Sequence, residues 1–161
     1  MSAATECPLD SWEDYRNAVL DLLAGARTNL VVFDPTLEET GLESPRGVEL
    51  LVALAKRSSR EDAIRVLVRD TAFIERDCPR LQRVFADFSH RITLRALTPD
   101  QQIPDNTFTI ADNVNLALLF HFASPRGRVN LDDGLAADPL AQFETLWEFS
   151  GPGPNYVSLG L

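Results

Sequence analysis

Apolar residues along this chain repeat at two spacings, and the switches between them mark an alternation of helices and strands. Trp12, Tyr15, Val19 and the Leu22–Leu23 pair recur at helical spacing. Ser11 and Asp14 form a capping-box-like start, with Asp in place of the usual Glu, and Gly25 lies near the end. A helix is expected over about 11–25. Asn29-Leu30-Val31-Val32-Phe33 is too short for a helix and lacks polar alternation, so it predicts a buried, parallel-type strand stopped by Asp34-Pro35. After a loop over 34–43, Ser44 and Pro45 open a second helix whose inner face is Val48, Leu51, Val52 and Ala55, closed by Lys56-Arg57 against the helix dipole.

The same rhythm repeats. Residues 63–69 predict a strand, 71–88 a helical segment broken at Cys78-Pro79, and 92–97 another strand before a polar loop over 98–104. Such alternation feeds a largely parallel sheet through right-handed crossovers. Two more strands, about 106–111 and 114–122, are joined by the two-residue turn Asp112-Asn113. Residues 123–135 are expected to be loop. Asp138 as cap and Pro139 at the first position start a last helix, which Gly151-Pro152-Gly153-Pro154 ends. The chain therefore divides into a flexible N-terminus (1–10), one α/β domain (11–150) and a C-terminal tail (151–161).

Composition narrows the classes. At 161 residues the chain can bury roughly two-thirds of its unfolded surface in one core. No apolar run approaches the twenty or so residues that span a bilayer, and no basic region followed by an apolar stretch opens the chain. Cys7 and Cys78 are isolated, without metal-ligand spacing, so a cytoplasmic home is the expectation. Fifteen basic against twenty-four acidic side chains give a net charge of −9, which repels nucleic acid and anionic lipid. Glycine-rich phosphate loops, HExxH and zinc-type clusters are absent. No cofactor or metal is expected.

The order of elements, the place of the hairpin, and the closing run Asp138-Pro139…Phe143…Leu146-Trp147 resemble a phospholipase D-type domain. The resemblance implies a single phospholipase D-like α/β domain, with a mixed, mostly parallel sheet flanked by helices on both faces. It also implies a His-x-Lys-x-x-x-x-Asp motif before the tight turn and a Gly-Ser-x-Asn string on the next strand. Laid on by its turn aspartate, the motif places Asp112 at its Asp, Asp105 where the histidine nucleophile stands and Thr107 where the lysine stands. Leu119-Phe120-His121-Phe122 occupies the Gly-Ser-x-Asn position.

Phosphoryl transfer of that kind needs an imidazole to attack phosphorus and a cation to hold the phosphoryl oxygens. Asp105 sets an anion against an anion and Thr107 brings no positive charge. The expected function is therefore a non-catalytic binding, scaffolding or regulatory module. Candidate binding residues are His121, Phe120, Phe122, Arg126 and Arg128. The expected partner is a protein or a second copy of the chain, paired through the motif face. Two alternatives stand beside this: an enzyme of different chemistry using Asp105, Asp112 and His121, or a nucleic-acid-binding domain, which the charge disfavours. Each residue also has a plain structural role open to it. Asp112 can simply make a turn, Asp105 and Asn106 can bond nearby backbone, and His121 can be a satisfied core or edge histidine. Arg126 and Arg128 can pair locally with Asp132 and Asp133, and Phe143 and Trp147 can be core.

Overall fold

The computed structural model describes residues 5–153. The elements run β1 (Thr5–Leu9), α1 (Trp12–Gly25), β2 (Leu30–Phe33), α2 (Pro45–Arg57), β3 (Ile64–Val68), α3 (Ala72–Asp77), α4 (Pro79–Asp87), β4 (Ile92–Ala96), β5 (Thr107–Ala111), β6 (Asn115–Leu119), β7 (Gly127–Leu131), α5 (Ala137–Phe149) and β8 (Gly151–Pro152). The expected helix starts hold where a side chain reaches an orphan N–H. Ser11 caps α1 by accepting from Asp14 N, and Ser44 caps α2 by accepting from Gly47 N.

One eight-stranded sheet carries the order β1-β7-β6-β5-β2-β3-β4-β8. It is mixed but mostly antiparallel, which corrects the expectation of a mostly parallel sheet. Only the β2–β3 and β3–β4 neighbours are parallel. The two crossovers make the parallel β2-β3-β4 unit, while β5 returns antiparallel beside β2 and the hairpins and two end strands build the rest antiparallel.

Strand alternation sorts the core into two layers. Leu30 and Val32 face α1 to α4, with Tyr15, Leu23, Leu51 and Leu81 among the buried residues there. Val31, Phe33, Phe108 and Ile110 face the other side, where α5 places Phe143 and Trp147. Phe143 is fully buried, as its helical spacing implied. The Arg65 guanidinium grips Glu144 at 2.6 and 3.0 Å and lies 5.1 Å from the Phe143 ring centroid, fastening α5 to β3. No helix among the described residues is long and apolar enough to cross a membrane.

Five boundaries differ from expectation. Residues 5–9 are not a loose end but the strand β1, paired in register with β7. β7 itself lies inside the expected loop over 123–135, and a Cβ on Gly127 would collide with the Leu118 carbonyl oxygen of the neighbouring strand. β6 stops at Leu119: Phe120 N still donates to Arg126 O in register with β7, but Phe122 N donates to Asp105 O, one residue out of the β5–β6 register. Asp138 does not cap α5, which begins at Ala137 after an Ala136 that offers no side-chain cap. As an acid in the first turn it still complements the dipole. In the tail, Gly151–Pro152 extends the sheet beside β4, and 156–161 lies outside the described residues.

Candidate functional site at the carboxyl end of the sheet

Ligands of open α/β sheets gather where parallel strands end. Here that end is formed by the ends of β2, β3 and β6 and the start of β5, and it gathers Asp34, Arg69, Asp105, Thr107 and the segment 120–122. Thr107 is 1% exposed, and its hydroxyl donates to the Phe33 carbonyl oxygen. Asp34, the residue after β2, lies beside it with Oδ2 at 3.3 Å from Thr107 Oγ1 and 3.1 Å from the Tyr15 hydroxyl. Asp34 Oδ1 accepts from Leu37 N at 2.8 Å and Thr36 N at 3.2 Å. Those two bonds hold the turn that places the buried Leu37 at φ +73°, a region non-glycine residues seldom visit.

Burial raises the Asp34 carboxyl, and the donations of Leu37, Thr36 and Tyr15 only partly oppose it. Burial, then the nearby Asp34, pushes the Tyr15 phenol well above its usual value, so it stays protonated. Glu43 on the adjoining loop is also raised by burial, and its Oε2 has no hydrogen-bond partner. Above this floor opens a cleft of about 220 Å³ walled by Trp12, Glu38, Glu39, Arg69 and Phe122. The Arg69 guanidinium lies 5.3 Å from the Phe122 ring centroid.

The positions laid on the motif do not stay together. Asp105 is exposed at this end, its carbonyl accepting from Phe122 N at 2.8 Å. Asp112 follows the other end of β5, seven residues and roughly 20 Å away along an extended chain. There it accepts from the amides of Thr28 (2.8 Å), Arg27 (3.0 Å) and Asn29 (3.3 Å) and from the Thr28 hydroxyl (2.9 Å). Desolvation pushes Asp112 up, but these donations together outweigh it and hold the carboxyl below its ordinary value. Asp112 and Asn113 both have positive φ, the geometry of a type I′ hairpin turn. An active site built from Asp105, Asp112 and His121 together is thus excluded by distance.

His121 is exposed rather than in a core, stacked 4.4 Å from the Phe122 ring with Nδ1 accepting from Ala123 N. Phe120 is 55% exposed beneath Arg128, at 5.8 Å. Arg128 donates to Asn130 and lies 3.9 Å from Glu6, not paired with Asp132 or Asp133 as expected. Arg126 is exposed, and Asn106 exchanges amide hydrogen bonds with Gln142 on α5. Cys78 is buried, its thiol pushed up to about 11 by burial, and Cys7 is exposed on β1. Among the described residues no group of three His, Cys, Asp or Glu side chains could hold a metal. Sequence reasoning missed Asp34, Tyr15 and Arg69. The signal available was position: Asp34 and Arg69 directly follow two parallel strands.

Solved structures share this fold. The phospholipase D family member Nuc from Salmonella typhimurium aligns with a TM-score of 0.63 and 16% identity, over 94% of this chain and 99% of Nuc. NucT from Helicobacter pylori aligns with a TM-score of 0.57 and 9% identity, over 94% of this chain and all of NucT. TrmBL2, an archaeal chromatin protein with a novel mode of DNA binding, aligns with a TM-score of 0.67 and 16% identity, over 92% of this chain. The chain spans about half the length of TrmBL2, at 54%. At these identities the likeness establishes a phospholipase D-like fold. Curated protein sequences contain no match to the chain. The family is set by the sequence itself: over residues 11–159 the chain matches the model of a domain of unknown function, DUF7931, and it belongs to that family.

Proposed function

We propose that this domain is a non-catalytic phospholipase D-like module that binds a partner at the carboxyl end of its sheet. One observation carries the reading: the place laid on the motif's lysine holds the buried Thr107, whose hydroxyl is engaged by Phe33 and whose ionisable neighbour is an acid, Asp34, not a base. A phosphoryl group brought there meets a carboxyl where stabilisation requires a cation. Asp105 at the nucleophile's position is an exposed acid, not an imidazole. The test is turnover of bis(4-nitrophenyl) phosphate and single-stranded DNA by purified protein. No turnover above buffer is expected, and turnover that disappears in Asp105→Ala would overturn the reading.

Self-association through the same end belongs to this proposal, because Ile103 and Phe120 present exposed apolar surface there, at 45% and 55%. Sedimentation at rising concentration should show a dimer that Phe120→Ser weakens; a wild-type monomer throughout would remove this part. The DNA-binding neighbour favours a nucleic-acid reading, but the net charge of −9 opposes it. No duplex binding is expected at physiological salt.

A further inference from the structure

The cleft over Asp34 has walls of one chemical kind. Trp12 and Phe122 supply aromatic faces, Glu38 and Glu39 supply carboxylates at the rim, and Asp34 lies at the floor. Aromatic faces and carboxylates together attract cations, and a planar guanidinium satisfies both at once by stacking on a ring while its edge donates to oxygen. The cleft already contains such a group. Arg69 leaves the end of β3 with its own amide and that of Asp70 bound to Pro35 O, each at 3.0 Å, which anchors its backbone beside the cleft. From there its guanidinium reaches the Phe122 ring. Arg69 belongs to none of the salt bridges found among the described residues, so it can be displaced without breaking one.

Resting on the reading that this end of the sheet binds rather than reacts, we infer that the Trp12–Phe122 cleft receives a guanidinium group, with Arg69 as the resident surrogate that the incoming cation displaces. The end that carries an anion site in the resembling enzymes has here become a cation site. Glu38 is held toward the rim by the Thr36 hydroxyl at 3.2 Å, and the Arg16–Glu39 contact, at 3.9 Å and exposed, leaves Glu39 free to turn to a ligand. Trp12 meets Tyr15 edge-on at 6.4 Å, and the Tyr15 hydroxyl meets Asp34, so the aromatic wall and the floor form one connected unit. The guanidinium can belong to a partner protein's arginine or to a free small molecule, and both present the same chemistry.

The experiment follows tryptophan fluorescence in Trp147→Phe, which leaves Trp12 as the sole reporter of the two tryptophans. Calorimetry on the unsubstituted chain gives an independent constant. Arginine amide and a Gly-Gly-Arg-Gly-Gly peptide are the two arms, and inorganic phosphate is the control. Saturation by arginine amide at millimolar concentration is expected. Arg69→Ala should tighten it about threefold by removing the competitor, and Glu38→Gln with Glu39→Gln should weaken it about fivefold. Tighter binding of the peptide than of the amide assigns the site to a protein partner, and the reverse order assigns it to a small molecule. No saturation in either the wild type or Arg69→Ala, or binding of phosphate in place of arginine amide, overturns the inference while the absence of diester turnover leaves the binding-module reading in place. Diester turnover that Asp105→Ala abolishes overturns both.

Discussion

At one end of β5, Asp112 takes four donations from residues 27–29; at the other, Asp34 takes two from backbone amides and one from the Tyr15 hydroxyl. The donor sets are similar, yet the carboxyl of Asp112 is held below its ordinary value and that of Asp34 above it. The difference is solvent. Asp34 is 5% exposed beneath the cleft, whereas Asp112 sits on a surface turn where desolvation is smaller than the summed donations. The comparison teaches that burial, more than the number of donors, decides which way a carboxyl is shifted. Asp112 works on backbone amides and serves the hairpin whatever happens at the far end. At the far end Asp34 braces the turn at Leu37 from beneath the cleft.

The largest effect is expected at Asp112. Removing its carboxylate in Asp112→Ala strips acceptors from three amides and places Ala at φ +54°. The loss should be about 2–3 kcal/mol in urea unfolding, discounted from a fully buried case because water reaches the turn. Asp112→Asn keeps an acceptor and tolerates the backbone, so it isolates the charge. Because the folded carboxyl is depressed, its contribution is present above the ordinary aspartate range and fades as pH falls through the folded value. Asp112→Asn should therefore flatten the acid limb of the stability profile. An unchanged limb would place the hairpin's strength elsewhere, in the Asn29–Asn113 amide bond for example.

Asp34 should behave in the opposite sense. Its folded carboxyl is raised, so the folded state holds a proton that the unfolded chain releases, and stability falls as pH climbs above the ordinary aspartate value. Asp34→Asn preserves an acceptor for Thr36 and Leu37 and carries no charge. It should match the wild type at acid pH and exceed it at neutral pH, by on the order of 1 kcal/mol. The Asp34 and Glu43 charges disfavour each other, so Glu43→Gln is the control that separates that part. A neutral-pH loss in Asp34→Asn would show that the ionised form is the one the fold needs.

This asymmetry also sets how much could be read from the chain alone. Helices and central strands announced themselves, because Leu30–Phe33 and the 12–25 face are dense in apolar residues. The strand β7 did not. Val129 and Leu131 face α1 while Arg128 and Asn130 face the α5 side, where Arg128 shares a cleft with Asp138 and Gln142 and Asn130 is buried, so its alternation is diluted by polar residues and a glycine. β1 escaped with it, since a short terminal strand has meaning only once its partner exists. Motif spacing singled out Asp105 and Thr107, which lie at the end of the sheet that holds Asp34 and Arg69. It could not supply Tyr15, Asp34 and Arg69, which come from three separate segments and meet only in the folded chain.

The smallest effect, and the sharpest comparison, concerns Thr107. Its hydroxyl has one proton and two oxygen neighbours, Phe33 O and Asp34 Oδ2. The contact to Phe33 is the shorter, and a carbonyl can only accept, so the proton goes there. Asp34 then faces the oxygen of Thr107 without receiving a donation from it, which leaves the carboxyl closer to its protonated form. Thr107→Val should cost about 0.5–1 kcal/mol, the worth of one neutral hydrogen bond. That cost should be the same in the wild type and in Asp34→Asn, with a coupling below about 0.5 kcal/mol in a double-mutant cycle. A larger coupling would mean that Thr107 donates to Asp34 after all, and the floor of the cleft would then hold an ionised carboxylate supported from β5.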